Sequence, residues 1–143
     1  MVDNFLDSLS STPDRELIAQ LESACQNLFW FSEAEYPLRV FYWQDLSNCD
    51  EYTLLKRHNY PAGTKIAVKK LPDFFDSATK SEPWHNETEQ IEVKRYQALV
   101  DLIAKNLSDI RVYLLGDIEI DVYVLGKTEH QAIAGLTTKI VQT

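Results

Sequence analysis

Residues 110–126 read IRVYLLGDIEIDVYVLG, and the reading of this stretch decides the fold. Two runs rich in β-branched and aromatic residues meet at Gly116 and Asp117, a turn signal, so the segment folds back on itself as a hairpin. In the second run Ile118, Ile120, Val122 and Val124 alternate with Glu119, Asp121 and Tyr123, the period of a strand with one buried face. Gly126 closes the hairpin, and AGLTTKIVQT (134–143) adds a last strand whose pattern runs to within two residues of Thr143.

Working back from the hairpin, a helical pattern covers roughly Glu87 to Asn106, with Ile91, Leu99, Ile103 and Leu107 on one face and Tyr96 and Val100 beside them. Asp73 is read as the cap of a short helix through DFFDSATK (73–80). Tyr52 to His58 and Lys65 to Leu71 are strand candidates, joined through NYPAG (59–63) with its turn residues. Pro37 disfavours helix at Tyr36, and LRVFYWQ (38–44) is dense enough in β-branched and aromatic residues to be a strand. A first helix is expected from Pro13 to Leu28: Ser11 and Thr12 can cap it, Pro13 suits the first turn, and Leu17, Leu21, Ala24 and Leu28 fall at helical spacing. Helices before and after a meander of strands point to an α+β fold with a largely antiparallel sheet, both faces covered. The chain of 143 residues reads as a single domain, 1–143, with 1–12 flexible.

Composition narrows the function. With 45% apolar and 11% aromatic residues the chain is too hydrophobic to be disordered. Its net charge is −8: residues 1–55 carry −8, residues 56–80 carry +4, and the remainder −4. Such a chain is repelled by a phosphate backbone, so nucleic acid is not its ligand. Cys25 and Cys49 are too few for a disulfide framework and are read as free thiols. The absence of a secretory pattern and of an apolar run of ~20 residues points to a soluble, cytoplasmic protein with no membrane partner.

No local motif supports catalysis. Four isolated glycines cannot cradle a phosphate, and His58, His85 and His130 lack a second ligand at metal spacing, so neither a cofactor nor a metal of its own is expected. One enzymatic reading remains: Glu33 and Glu35, with His85 brought near, could work as acid and base if their pKa values were pushed apart. The acceptor pattern Asn86-Glu87-Thr88 has no use in a chain that is not secreted. More weight falls on aromatic residues beside acids, the make-up of interface anchors. Trp84, in SEPWHNE (81–87), has a proline before it and polar residues after it, and is the candidate for exposure.

At FSEAEYPLRVFYW (31–43) the sequence resembles the nuclease A inhibitor family, bacterial inhibitors of sugar-non-specific nucleases. PDFFDSATK (72–80) followed by Trp84, the stretch from Tyr96 to Asn106 and Leu107, VYLLGDIEIDVYVLGKT (112–128) and AGLTTKIVQT look like the family in the same order, over about residues 14–143. The resemblance implies a three-layer α/β/α sandwich with a largely antiparallel central sheet. It also implies an inhibitor rather than an enzyme, one that binds non-covalently to a secreted, Mg-dependent ββα-metal nuclease and occludes its active site. The inhibitor would be a monomer when free and form a one-to-one complex. In the family the first Glu of SE-x-EYP, a Trp before the long helix and the C-terminal Thr contact the enzyme. Carried across, these are Glu33, Trp84 and Thr143, the last reaching the metal of the bound nuclease, with the acidic Glu35 and Glu82 beside them as further partner-binding residues. Pro83 stands where the family pattern has an acidic residue. The other reading keeps the fold and makes the chain an interaction module for a non-nuclease partner.

Overall fold

In a computed structural model describing residues 12–143, the Asn86 side chain accepts the Glu89 N–H at 2.8 Å and the Glu89 carboxylate accepts the Asn86 N–H at 2.9 Å. This reciprocal capping box satisfies two otherwise unpaired donors and starts the longest helix, Glu87–Asn106, at the position read from the sequence. Its buried residues are Val93, Tyr96, Leu99 and Ile103. Ile91, expected on that face, is 55% exposed, and Val93 continues the stripe instead.

In chain order the elements are α1 (Arg15–Cys25), β1 (Phe29–Phe31), β2 (Glu35–Pro37), β3 (Arg39–Trp43), α2 (Glu51–Arg57), β4 (Ile66–Lys69), α3 (Leu71–Phe74), α4 (Glu87–Asn106), β5 (Ser108–Gly116), β6 (Glu119–Lys127) and β7 (Ile133–Val141). β1 and β2 form a two-stranded antiparallel sheet. The other five strands form a second sheet in the order β3-β7-β6-β5-β4, every neighbouring pair antiparallel. The chain is therefore α+β with an antiparallel sheet, as expected. Of the stretch 1–12 read as flexible, residues 1–11 lie outside the described residues.

Gly116 turns the β5–β6 hairpin at φ +124°, where a Cβ would sit 2.3 Å from the Glu119 carbonyl oxygen, so only glycine fits. Side chains then alternate across the sheet. Val112, Ile120, Val122, Val124 and Leu136 join Ile18 and Leu21 of α1 and Leu99 and Ile103 of α4 in the larger core. Tyr113, Leu115, Tyr123, Leu125 and Ile133 face the other way and bury Leu54 of α2 in a second core. β6 thus buries both faces, whereas its alternation with Tyr123 had implied one.

α2 corrects the strand expected over Tyr52 to His58. Asp50 accepts from the Thr53 N–H and hydroxyl, both at 2.9 Å, which caps a helix, and Leu54 is its one fully buried residue. α3 begins and ends earlier than the helix expected through Lys80: Lys70 is its N-cap, Pro72 sits in its first turn, Asp73 lies inside it, and it stops at Phe74. α1 is shorter at both ends than Pro13 to Leu28. Asn27 takes a left-handed φ of +56°, and Arg95 donates to the carbonyls of Ala24 and Gln26 at 3.0 and 2.6 Å, closing the helix at Cys25. At its start Asp14 is 4% exposed and does not cap with its side chain. Its carboxylate instead accepts from Tyr42 and Thr128 at 2.8 and 2.7 Å and meets His130 Nδ1 at 2.9 Å, tying α1 to β3 and to the β6–β7 turn.

Candidate functional site

The segment FWFSEAEYP (29–37), to which the sequence assigns no element, is a hairpin. Phe29, Trp30 and Phe31 pair with Pro37, Tyr36 and Glu35, and Ser32, Glu33 and Ala34 form its turn. Trp30 stacks on Phe74 with ring centroids 4.7 Å apart and meets Phe75 and Tyr96 edge-on, anchoring the hairpin to the larger core. Thr138 of β7 donates to the Pro37 carbonyl at 3.0 Å.

The turn is zipped onto the end of β7. Glu33 N–H donates to the Val141 carbonyl at 3.1 Å, and the Ser32 hydroxyl accepts the Val141 N–H at 3.0 Å. On the other side of the same strand end, the Gln142 N–H donates to the Ile118 carbonyl at 2.9 Å. Residue 143 is then held by Glu33: the Thr143 N–H reaches Oε2 at 2.7 Å and the Thr143 hydroxyl reaches Oε1 at 2.9 Å. The Thr143 amide, and then its hydroxyl, hold the Glu33 carboxyl below the usual carboxylate range, because both bonds favour the charged form.

Trp84 is presented separately. The Glu82 carbonyl accepts the His85 N–H at 3.1 Å, closing a β-turn with Pro83 and Trp84 at its two central positions. The Glu82 N–H donates back to His85 Nδ1 at 3.1 Å. Proline sets the backbone angle of its position, so the turn holds Trp84 out, 74% exposed, edge-on to the His85 ring. A hollow of about 310 Å³ separates this turn from the hairpin, and Phe31, His85 and Glu89 are among the residues that line it.

Of the residues singled out from the sequence, Glu33 and Thr143 are therefore in direct contact. Glu35 is exposed at the far end of the three-residue turn. Glu82 and Trp84 belong to the turn of His85, which lines the hollow together with Phe31, and neither makes a hydrogen bond or ion pair with Glu33, Glu35 or Thr143 among the described residues. Glu33, Glu35 and Glu82 make no ion pair among the described residues, whereas Asp117, Glu119 and Asp121 are near Lys65 or Lys139. The acid–base reading finds no support in this arrangement. A general acid at neutral pH needs a raised carboxyl pKa, Glu33 is shifted the other way, and His85 bonds to the backbone of Glu82 rather than to either glutamate. Among the described residues no group of three or more His, Cys, Asp and Glu is placed to hold a metal ion, and no helix is long and apolar enough to cross a membrane.

Ser32, Phe31 and Ile118 belong to this neighbourhood and were not picked out from the sequence. The serine stands in the SE-x-EYP motif, and the aromatic residues on both sides of the turn, Phe29–Phe31 before it and Tyr36 after it, are its hairpin signal. Ile118 was read as a buried strand residue but lies in the turn before β6, 56% exposed. A family model described as nuclease A inhibitor-like protein (NuiA) matches residues 15–143. No curated protein matches the chain.

Proposed function

The chain belongs to the nuclease A inhibitor-like family, and from that premise we propose that it is a non-covalent, one-to-one inhibitor of a Mg-dependent nuclease that cuts DNA and RNA alike. It covers the enzyme's active site with the surface carrying Glu33, Thr143 and Trp84. The substrate of such an enzyme dictates what this surface must offer. A cleft that holds a polyanion carries cationic side chains, and its Mg²⁺ takes hard oxygen ligands. Oxygen atoms presented in fixed places, on a chain of net charge −8, complement both.

The observation that carries this reading is the Glu33–Thr143 pair. Two short hydrogen bonds order residue 143 before any partner arrives, which lowers the entropy lost on binding. The Thr143 hydroxyl donates to Glu33 and keeps its lone pairs for a metal-bound water of the enzyme. Glu33 thus positions residue 143 as well as facing the enzyme. Trp84 fills an apolar hollow of the partner, and Glu35 and Glu82 add negative charge at the margins. The inhibitor acts in the cytoplasm of a bacterium that exports the enzyme, where it protects the producing cell.

Titrating the purified protein into a fixed amount of such a nuclease, with DNA cleavage as readout, tests the reading. Activity should fall linearly to zero at one equivalent, and Trp84→Ala should weaken binding by about 2 kcal/mol. Full activity at molar excess overturns it.

A further inference from the structure

The strand end that carries Thr143 lies between two turns, and at or beside each a large apolar side chain stands in solvent. On one side Phe31, at the end of β1 and two residues before Glu33, is 59% exposed. On the other Ile118, in the β5–β6 turn, is 56% exposed. Neither is there for want of order. The Ile118 carbonyl accepts the Gln142 N–H at 2.9 Å, and Phe31 is in register with Glu35 across the hairpin. The bonds that fix residues 141 and 142 therefore tie down the backbone next to Phe31, through Ser32 and Glu33, and that of Ile118 itself, one on each side of the strand end.

We infer that Phe31 and Ile118 are the apolar shoulders of the partner surface and set its fit to the nuclease. This rests on the inhibitor reading above. The occupant they match is a cationic groove with apolar walls: Glu33 and Thr143 enter the groove while the two side chains seat against the walls. Covering apolar shoulders expels water from the rim, and the charged contacts between them then act in a lower dielectric. Charge alone would admit any cationic partner, whereas two shoulders at fixed places admit a groove of one width.

Binding of the purified Mg-dependent nuclease to wild-type protein and to Phe31→Ala, Ile118→Ser and the double variant, followed by calorimetry, tests the inference. Tyr52→Ala, at a side chain 73% exposed on α2 and in no part of this surface, is the control. Each shoulder variant should raise Kd about tenfold with an unchanged unfolding midpoint, since both side chains are more than half in solvent. The control should stay within twofold. The salt dependence of association should be the same in all of them, because no charge is removed. Wild-type binding with shoulder variants within twofold, or a control that weakens as much as they do, overturns this inference and leaves the inhibitor reading standing. No wild-type binding overturns both.

Discussion

Glu33 is exposed, yet both its oxygens are engaged by one residue, Thr143. Its carboxyl pKa is depressed in the folded protein by the amide and then the hydroxyl of that residue. A depressed carboxyl contributes its stabilisation above the unfolded value and loses it as pH falls through the folded one. Residue 143 should therefore stay held through neutral and mildly acidic pH and come free only in acid below the ordinary carboxylate range. The Thr143 amide resonance followed against pH checks this, and in Glu33→Gln it should already be displaced at neutral pH, with weaker inhibition and only a slightly lower unfolding midpoint, since the carboxylate is exposed. Asp14 is the contrasting case, a carboxylate buried for structure. Burial, and then the bond to Asp14, push the Tyr42 hydroxyl up to about 12. Asp14→Ala leaves Tyr42, Thr128 and His130 without their acceptor and should cost about 3 kcal/mol, lowering the thermal midpoint by roughly 10 °C. Thr143 enters the proposed surface only through motif resemblance, whereas the proline before Trp84 and the polar residues after it already point to its exposure. Nothing local in a sequence reports that Ser32, Glu33 and Ile118 converge on residues 141–143, because that convergence is a product of strand pairing.

At the scale of the element, the long helix was readable because Leu99, Ile103 and Leu107 recur at helical spacing, and the Asn86–Glu89 capping box fixes its start. The central hairpin was readable because Gly116 is obligatory at its turn. α2 was not. Its seven residues include Tyr52 and Thr53, which favour strands, and a single buried leucine gives no periodicity, so the Asp50 cap and the second core under Leu54 decide its conformation. The turn from Glu82 to His85 carries the element-scale prediction. Pro83→Ala should leave stability nearly unchanged but loosen Trp84, weakening inhibition by about 0.5–1 kcal/mol, mainly through faster dissociation. Stopped-flow measurement of the two rate constants checks it.

For the whole molecule, the α+β class followed from the sequence, and the antiparallel order followed from its hairpins. Both faces of the sheet were expected to be covered, but that β6 itself buries both was harder to read, because Tyr123 and Asp121 alternate with apolar residues as an exposed face would. Tyr123 is 8% exposed beneath His58 and Trp43, and Asp121 is satisfied by the Tyr60 hydroxyl. A net charge of −8 acts over the same scale. Steering towards a cationic cleft should make association fall about tenfold or more between low and physiological salt, with dissociation changed far less.

In the proposed complex one surface, running from the Glu33 turn across the hollow to Trp84, covers the nuclease. Amide hydrogen exchange of the inhibitor, alone and saturated with the Mg-loaded enzyme, measures that surface directly. Exchange should slow in 31–35, 82–86, 116–119 and 139–143, with α2 unaffected. Protection concentrated on α2 and the second core, with 31–35 and 139–143 unchanged, would contradict it.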